Sequence, residues 1–203
     1  MKKHIVFLTV IVGLLVFNSC KKENDSVSPL TNSTSLELTI KNNIGNSISG
    51  ASVKLYASGI DRSNKTNQVG TTQFSDASGK VVFNELSNIK YYFLVEKDCQ
   101  NNINGGVTTT SALIANKTTV LDIILSETGT LKFVNTSSNP YRVYINGSVA
   151  FDMNGGTTKY ENYMSTGFYS IRVLQLSGYL FTATDKTYTG TLGCGQTMTV
   201  TFP

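Results

Sequence analysis

The chain has 203 residues, 40% of them hydrophobic, with 17 basic and 13 acidic side chains and a formal net charge of +4. Its single histidine is His4 and it has no tryptophan. A body without histidine excludes Ser-His-Asp and Cys-His catalysis and histidine-based zinc sites, and near-balanced charge without a basic cluster argues against a nucleic-acid surface.

Lys2, Lys3 and His4 open the chain, an apolar run follows from Ile5 to Phe17, and Asn18-Ser19-Cys20 closes it. That is the order of a secretory signal. The run is too short to cross a bilayer, which takes roughly 20 residues. A cysteine directly after the small Ser19 resembles the lipobox of bacterial lipoproteins, with Phe17 where leucine is usual. The resemblance implies that residues 1–19 are removed and that Cys20 is lipidated, which makes a membrane the first expected partner. Several acyl chains, each buried methylene contributing about 0.8 kcal/mol, would hold the protein there durably. Lys21-Lys22-Glu23-Asn24-Asp25 looks like the signal that sends some Bacteroidetes lipoproteins to the outer face of the outer membrane, the alternative being a plain solvated run. Asp25-Ser26-Val27 resembles a Bacteroidetes O-glycosylation acceptor, with Ser26 the modified residue. Residues 20–35, rich in Ser, Thr and Asn with Pro29, are expected to form a flexible tether.

Beyond the tether no window keeps apolar residues at helical spacing for three turns, and period-two alternation recurs instead. Strands are expected over Leu36–Ile40, Val53–Leu55, Lys80–Phe83, Lys90–Glu96 and Val120–Leu125. In the second half they are expected over Thr130–Asn135, Tyr141–Asn146, Phe168–Leu174, Tyr179–Thr184 and Thr197–Phe202. Asn146-Gly147 signals a tight type I′ hairpin, and Ser78-Gly79, Asn104-Gly105-Gly106 and Asn154-Gly155-Gly156 mark other reversals. The expected fold is all-β, with two small β-sandwich modules of prealbumin or Ig-like type in series, at 36–127 and 128–203. Gly129 is read as the start of a new strand after the first module ends. Residues 110–118 weakly echo residues 189–197, and each stretch precedes an alternating final strand. Cys99 and Cys194 either bridge the two modules or remain two small hydrophobes.

Strand, turn and Gly50-Ala51-Ser52-Val53-Lys54-Leu55, followed by Asp76-Ala77-Ser78-Gly79 and the aromatic run Tyr91-Tyr92-Phe93, are similar to the transthyretin-like sandwich of carboxypeptidase regulatory-like domains and adhesin B-type repeats. Some of those repeats carry a Lys-Asn or Lys-Asp isopeptide, so the resemblance implies a candidate set of Lys41, Glu96 and either Asn116 or Asp122. Solvated strand-end charges are the other reading of those residues. In the second half Tyr141-Arg142-Val143-Tyr144-Ile145-Asn146-Gly147 and Gly167 to Val173 resemble PEGA-type domains, although Asn154-Gly155-Gly156 stands where their naming motif would be.

For binding chemistry, Tyr141, Tyr144, Tyr160 and Tyr163 are candidate platforms for sugar faces, or else half-buried core. Glu96 and Asp98 form the one close carboxylate pair, about 7 Å apart if both lie on one strand face. No metal and no cofactor is expected. These features describe a non-enzymatic, lipid-anchored protein of the outer membrane and cell surface. It would act as a binding or accessory subunit for a glycan or an outer-membrane protein complex. The alternative is a structural adhesin or pilus-associated spacer.

Overall fold

A computed structural model describes residues 33–203; the signal segment, Cys20 and Ser26 lie outside them. In chain order the first half holds β1 (Ser35–Asn42), β2 (Ser52–Tyr56), α1 (Gly59–Asn64), β3 (Gln68–Phe74), β4 (Lys80–Phe83), β5 (Tyr92–Lys97), β6 (Gln100–Asn101) and β7 (Thr118–Asn135). β8 (Tyr141–Ile145), β9 (Ser148–Met153), β10 (Thr158–Ser165), β11 (Gly167–Gln175), β12 (Asp185–Leu192) and β13 (Thr197–Phe202) complete the chain. The protein is all-β.

Alternation builds both halves. Leu36, Leu38 and Ile40 of β1 turn inward, as do Val81 and Phe83 of β4. They face Val53 and Leu55 of β2 and Phe93 and Val95 of β5 across a first core. One layer of that core is β4-β1-β7 and the other is β3-β2-β5-β6. A second core gathers Leu131 and Phe133 of β7, Tyr141, Val143, Ile171, Val173 and Phe202. It lies between β10-β7-β13 and β12-β11-β8-β9.

β7 belongs to both. Residues 118–125 run parallel to β1, Ser126 and Glu127 pair with β6, and residues 128–135 lie between β10 and β13. This corrects the expected restart at Gly129, because the strand continues through it. Glycine is required there for proximity. A Cβ on Gly129 would lie 2.8 Å from the Gln196 carbonyl oxygen and 2.9 Å from that of Gly193. The weak echo between residues 110–118 and 189–197 has a topological counterpart. β7 closes the first half parallel to β1, and β13 closes the second half parallel to β7.

Three further differences have physical reasons. Residues 179–184 form no strand despite their β-branched and aromatic content, since beyond the Thr184–Gln175 bonds no ladder runs through them among the described residues. A pleated segment without a neighbour gains little from its side chains. β3, β10 and β12 escape the pattern because they are mostly exposed, polar, Thr-bearing strands with few inward apolar positions. α1 has no buried residue, so it lacks the apolar stripe that reveals a helix. Ser58 caps it, its hydroxyl accepting from the Asp61 amide at 3.0 Å, a local signal of known kind.

The turns follow their chemistry. Asn146 (φ 49°) and Gly147 (φ 83°) make the left-handed pair of a type I′ hairpin between β8 and β9. Asp76 accepts from the amides of Ser78 and Lys80 at 2.8 and 2.9 Å, closing the reversal into β4. Buried Asn102 carries on where β6 stops. Its side-chain oxygen accepts from the Val95 amide at 2.8 Å, and its amide group donates to the carbonyls of Phe93 and Gly106.

Candidate functional site

The two cores meet at a junction that is the most specifically built part of the molecule. Cys99, in the turn after β5, and Cys194, in the turn before β13, are joined by a disulfide with Cα atoms 5.5 Å apart. Around it the Thr128 amide donates to the Cys99 carbonyl at 2.9 Å, and the Gly195 amide donates to the Thr128 carbonyl at 2.9 Å. Buried Asn101 donates from its side chain to the Thr128 hydroxyl at 2.8 Å. The Asn104 side chain reaches the Tyr163 carbonyl at 2.9 Å, and the Thr166 amide reaches the Glu127 carbonyl. Covalent, backbone and side-chain links therefore all cross between the sandwiches.

Beside these links lies an open cleft of about 640 Å³, bordered by Glu96, Asp98, Gln100, Asn162 and Tyr163. A bulge in β10 between Glu161 and Met164 aims Tyr163 toward it, with its backbone at φ 59°. Glu96 is engaged by Lys54 at 3.8 Å and Lys65 at 3.5 Å. Burial disfavours the Lys65 ammonium, yet Glu96 and Tyr163 more than offset this, and the lysine's pKa is raised. Burial likewise pushes the Tyr56 phenol up and the neighbouring Arg62 guanidinium down. Asn162 accepts from the Thr130 hydroxyl at 3.2 Å. Asn101, Thr128 and the Asn162 oxygen are thus bonded within the protein and Glu96 is paired with two lysines, so part of the cleft's polar lining serves the joint.

The carboxylate pair expected on one strand face does not form. β5 ends at Lys97, and Asp98 sits in the turn at φ 52°, so only Glu96 is held on a strand. Nor is the isopeptide set assembled. Lys41 and Asp122 do meet, on adjacent parallel strands, but as an ion pair of 2.6 Å at the solvated outer face of the sheet. Glu96 belongs to the opposite layer, and Asn116 is exposed in the turn before β7. A desolvated lysine beside a neutral carboxyl, which that chemistry needs, is not what these residues make.

The four tyrosines are likewise dispersed. Tyr141 is 1% exposed and packs in the second core with its ring 5.2 Å from that of Phe202. Tyr144 lies under the Arg172 guanidinium at 4.9 Å on the outer face of β8-β11. Tyr160, on β10, is about half exposed with the Lys132 ammonium 5.6 Å from its ring. Tyr163 alone borders the cleft. On that same outer face Arg142 and Arg172 form two-pronged bonds to Asp152 and Asp185. Both carboxyls are thereby held below their ordinary value of 3.8, so their contribution is present above that pH and is lost on acidification below it.

Of the residues that build the joint, the sequence marks the cysteines, Gly129, Asn104 as a turn residue and Tyr163 as a candidate platform, but none of them as a link between the halves except the cysteines. Asn101, Asn104 and Thr128 are common polar types whose role depends on partners far along the chain. The signal available was their position beside Cys99 and Gly129.

Among the described residues no helix is long and apolar enough to cross a membrane. No family model matches the sequence, and no curated protein does. Among solved structures the chain is similar to a Streptococcal ancillary pilin, at 14% identity over 84% of this chain and 62% of that one, with a TM-score of 0.39. It is similar to the Bacillus anthracis TIE protein at 11% identity over 84% of this chain and 33% of that one, with a TM-score of 0.36. It is also similar to the minor pilin of Streptococcus agalactiae, at 17% identity over 83% of this chain and 94% of that one, with a TM-score of 0.31. The chain spans about three fifths of the ancillary pilin and a third of the TIE protein.

Proposed function

We propose that the protein is a structural surface protein, a stiff non-catalytic spacer that holds its C-terminal end away from a membrane to which lipidated Cys20 ties it. The observation that carries this reading is β7, one uninterrupted strand that is a wall of both sandwiches, locked at its midpoint by the Cys99–Cys194 bridge. A hinge between modules needs a segment free to change φ and ψ, and here the connection is itself paired on both sides of the crossing. The described chain enters beside the start of β1, where Ser35 pairs with Thr118 at the start of β7. At about 3.3 Å per residue, the 18 residues of β7 set the far end on the order of 60 Å away. The transthyretin-like and PEGA-like patterns agree with a scaffold role, and the bacterial lipobox likeness agrees with outer-membrane display. A glycan-reading role is less favoured, because the dispersed tyrosines make no platform.

Fractionation of cells tests the anchor. Wild-type protein is expected in the outer-membrane fraction and open to protease added to intact cells, whereas Cys20→Ala is expected among soluble proteins. Membrane retention of the alanine variant would overturn the anchor, and protection of the wild type from protease would overturn surface display.

A further inference from the structure

Leu94 is buried although it faces away from the first core, between Phe93 and Val95, which point into it. It lies on the outer face of the β2-β5 pair, opposite Lys54, and α1 packs over that face. Beside α1 is a hollow of about 240 Å³ lined by Arg62, Ser63, Lys65, Leu94, Ile103 and Tyr163. Leu94 and Ile103 are its apolar part. Tyr163 comes from β10 in the second half, so both halves contribute to it.

The charges around the hollow do not balance. Arg62, Lys65 and Lys54 gather there, and the two lysines share the single carboxylate of Glu96. Asp61, next to Arg62 in the chain, is turned instead to Ser58, Thr66 and Asn67. Asp98 stands in the turn after β5 and borders the neighbouring cleft. The Arg62 Nε donates to the Phe93 carbonyl at 3.3 Å, but its Nη2 has no hydrogen-bond partner and is closed off from solvent. An ionised donor left in this way has lost its hydration without replacement, which is costly. Tyr163 carries a second local cost. Its φ of 59° is a strained value for an aromatic residue, and the bulge that accommodates it sets the phenol beside Lys65. Backbone strain of this kind gathers where ligands are clamped.

We propose that this hollow binds an oxyanion, the carboxylate, sulfate or phosphate group of a ligand, between the Arg62 guanidinium and the Lys65 ammonium. A small turn of the guanidinium brings Nη2 from its closed position to the hollow. Two N–H groups then meet two oxygens of the anion, a geometry that guanidinium suits and ammonium does not. Lys65 adds a point charge, and the Tyr163 hydroxyl beside it is placed to donate to a further oxygen. The volume is below the roughly 300–1,000 Å³ of pockets for drug-sized molecules. Only the charged end of the ligand and a few attached atoms therefore enter, against Leu94 and Ile103, and the rest extends into solvent. The anion supplies both what Arg62 lacks, a partner, and what the cluster lacks, a second negative charge. The site stands apart from the spacer reading, since neither the anchor nor the stiffness of the joint is needed for it.

The chain has three arginines, Arg62, Arg142 and Arg172, so the Nε–H resonances of the full-length lipidated protein, labelled at arginine and held in detergent micelles, report on the site. Arg142 and Arg172 serve as internal controls, their Nε groups being bonded to Asp152 and Asp185. Arg62→Lys identifies the Arg62 signal by its loss. The protein is titrated with sodium phosphate, sodium sulfate and sodium acetate, each against sodium chloride at equal ionic strength. At least one anion is expected to move the Arg62 signal to saturation while the other two arginines follow the chloride control, and the tightest of the three identifies the ligand's charged group. Lys65→Gln, at an exposed position, keeps the Arg62 signal and is expected to weaken binding about threefold or more. No saturable movement of Arg62 with any of the anions, equal movement of all three arginines, or unchanged affinity in Lys65→Gln would overturn the proposal.

Discussion

Replacing both Cys99 and Cys194 by serine is expected to lower the free energy of unfolding by about 2–4 kcal/mol, read as a lower midpoint in guanidinium denaturation. The bridge links residues 95 apart in sequence. Closing a loop of that size removes much of the unfolded chain's freedom, and loops of about 100 residues sit at the upper end of disulfide stabilisation, near 4.7 kcal/mol in the chain-entropy model. Native surroundings should survive the change, because the Thr128 amide, the Gly195 amide and the Asn101 side chain keep their partners. The loss therefore acts through the unfolded state and should leave the folded joint in place. A change under about 0.5 kcal/mol would mean that the unfolded chain is already held together near these residues.

The second large effect is expected at Gly129. Even alanine would set a carbon 2.8 Å from the Gln196 oxygen and the Leu192 Cδ1 and 2.9 Å from the Gly193 oxygen. Two of these three are backbone atoms of the turn that carries Cys194, so they cannot swing aside as a side chain would. Gly129→Val should cost about 3 kcal/mol, the upper end of ordinary overpacking. It should also disturb the pairing of β13 more than that of β1. Gly106→Ala is the control, because nothing lies within 4 Å of its added carbon and its backbone angle is ordinary; it should be close to neutral. Comparable losses at both positions would show that glycine's conformational freedom, and not contact, sets the requirement at Gly129.

Gly129 also shows where sequence reading succeeds and where it stops. Alternation in Leu36-Glu37-Leu38-Thr39-Ile40 and in Thr197 to Phe202 identifies β1 and β13, because each lies between a core and solvent. The Asn146-Gly147 turn is equally legible, its angles being demanded by two adjacent residues. A glycine inside a strand has two meanings, however: a break, or a close approach by another segment. Only the position of residues 192–196 decides between them, and that is set by contacts more than sixty residues away. The site divides in the same manner. The adhesin likeness implies Lys41 and Glu96 with Asn116 or Asp122 as acceptor, and parallel pairing of β1 with β7 brings Lys41 to Asp122 alone. Whether they face the core or water depends on the phase of the strand, and both fall on the outer face. Tyr141 and Tyr144 are three residues apart and therefore lie on opposite faces, one in the core and one under Arg172.

The Leu180-Phe181 segment is legible in the sequence only as composition. Its residues have strand-forming character, and the alternation reading therefore placed them in a strand. Pairing is what turns such a segment into a strand, and here it is absent among the described residues, leaving the side chains in solvent.

The stiffness of the joint is tested most directly by the distance between two spin labels, attached through ketone-bearing residues so that the disulfide is untouched. Thr71 on β3 and Val149 on β9 are exposed positions in different halves. A shared β7 predicts one narrow distance peak whose position and width persist in the variant lacking both cysteines. A broad or two-peaked distribution would mean that the halves move independently and would contradict the spacer account.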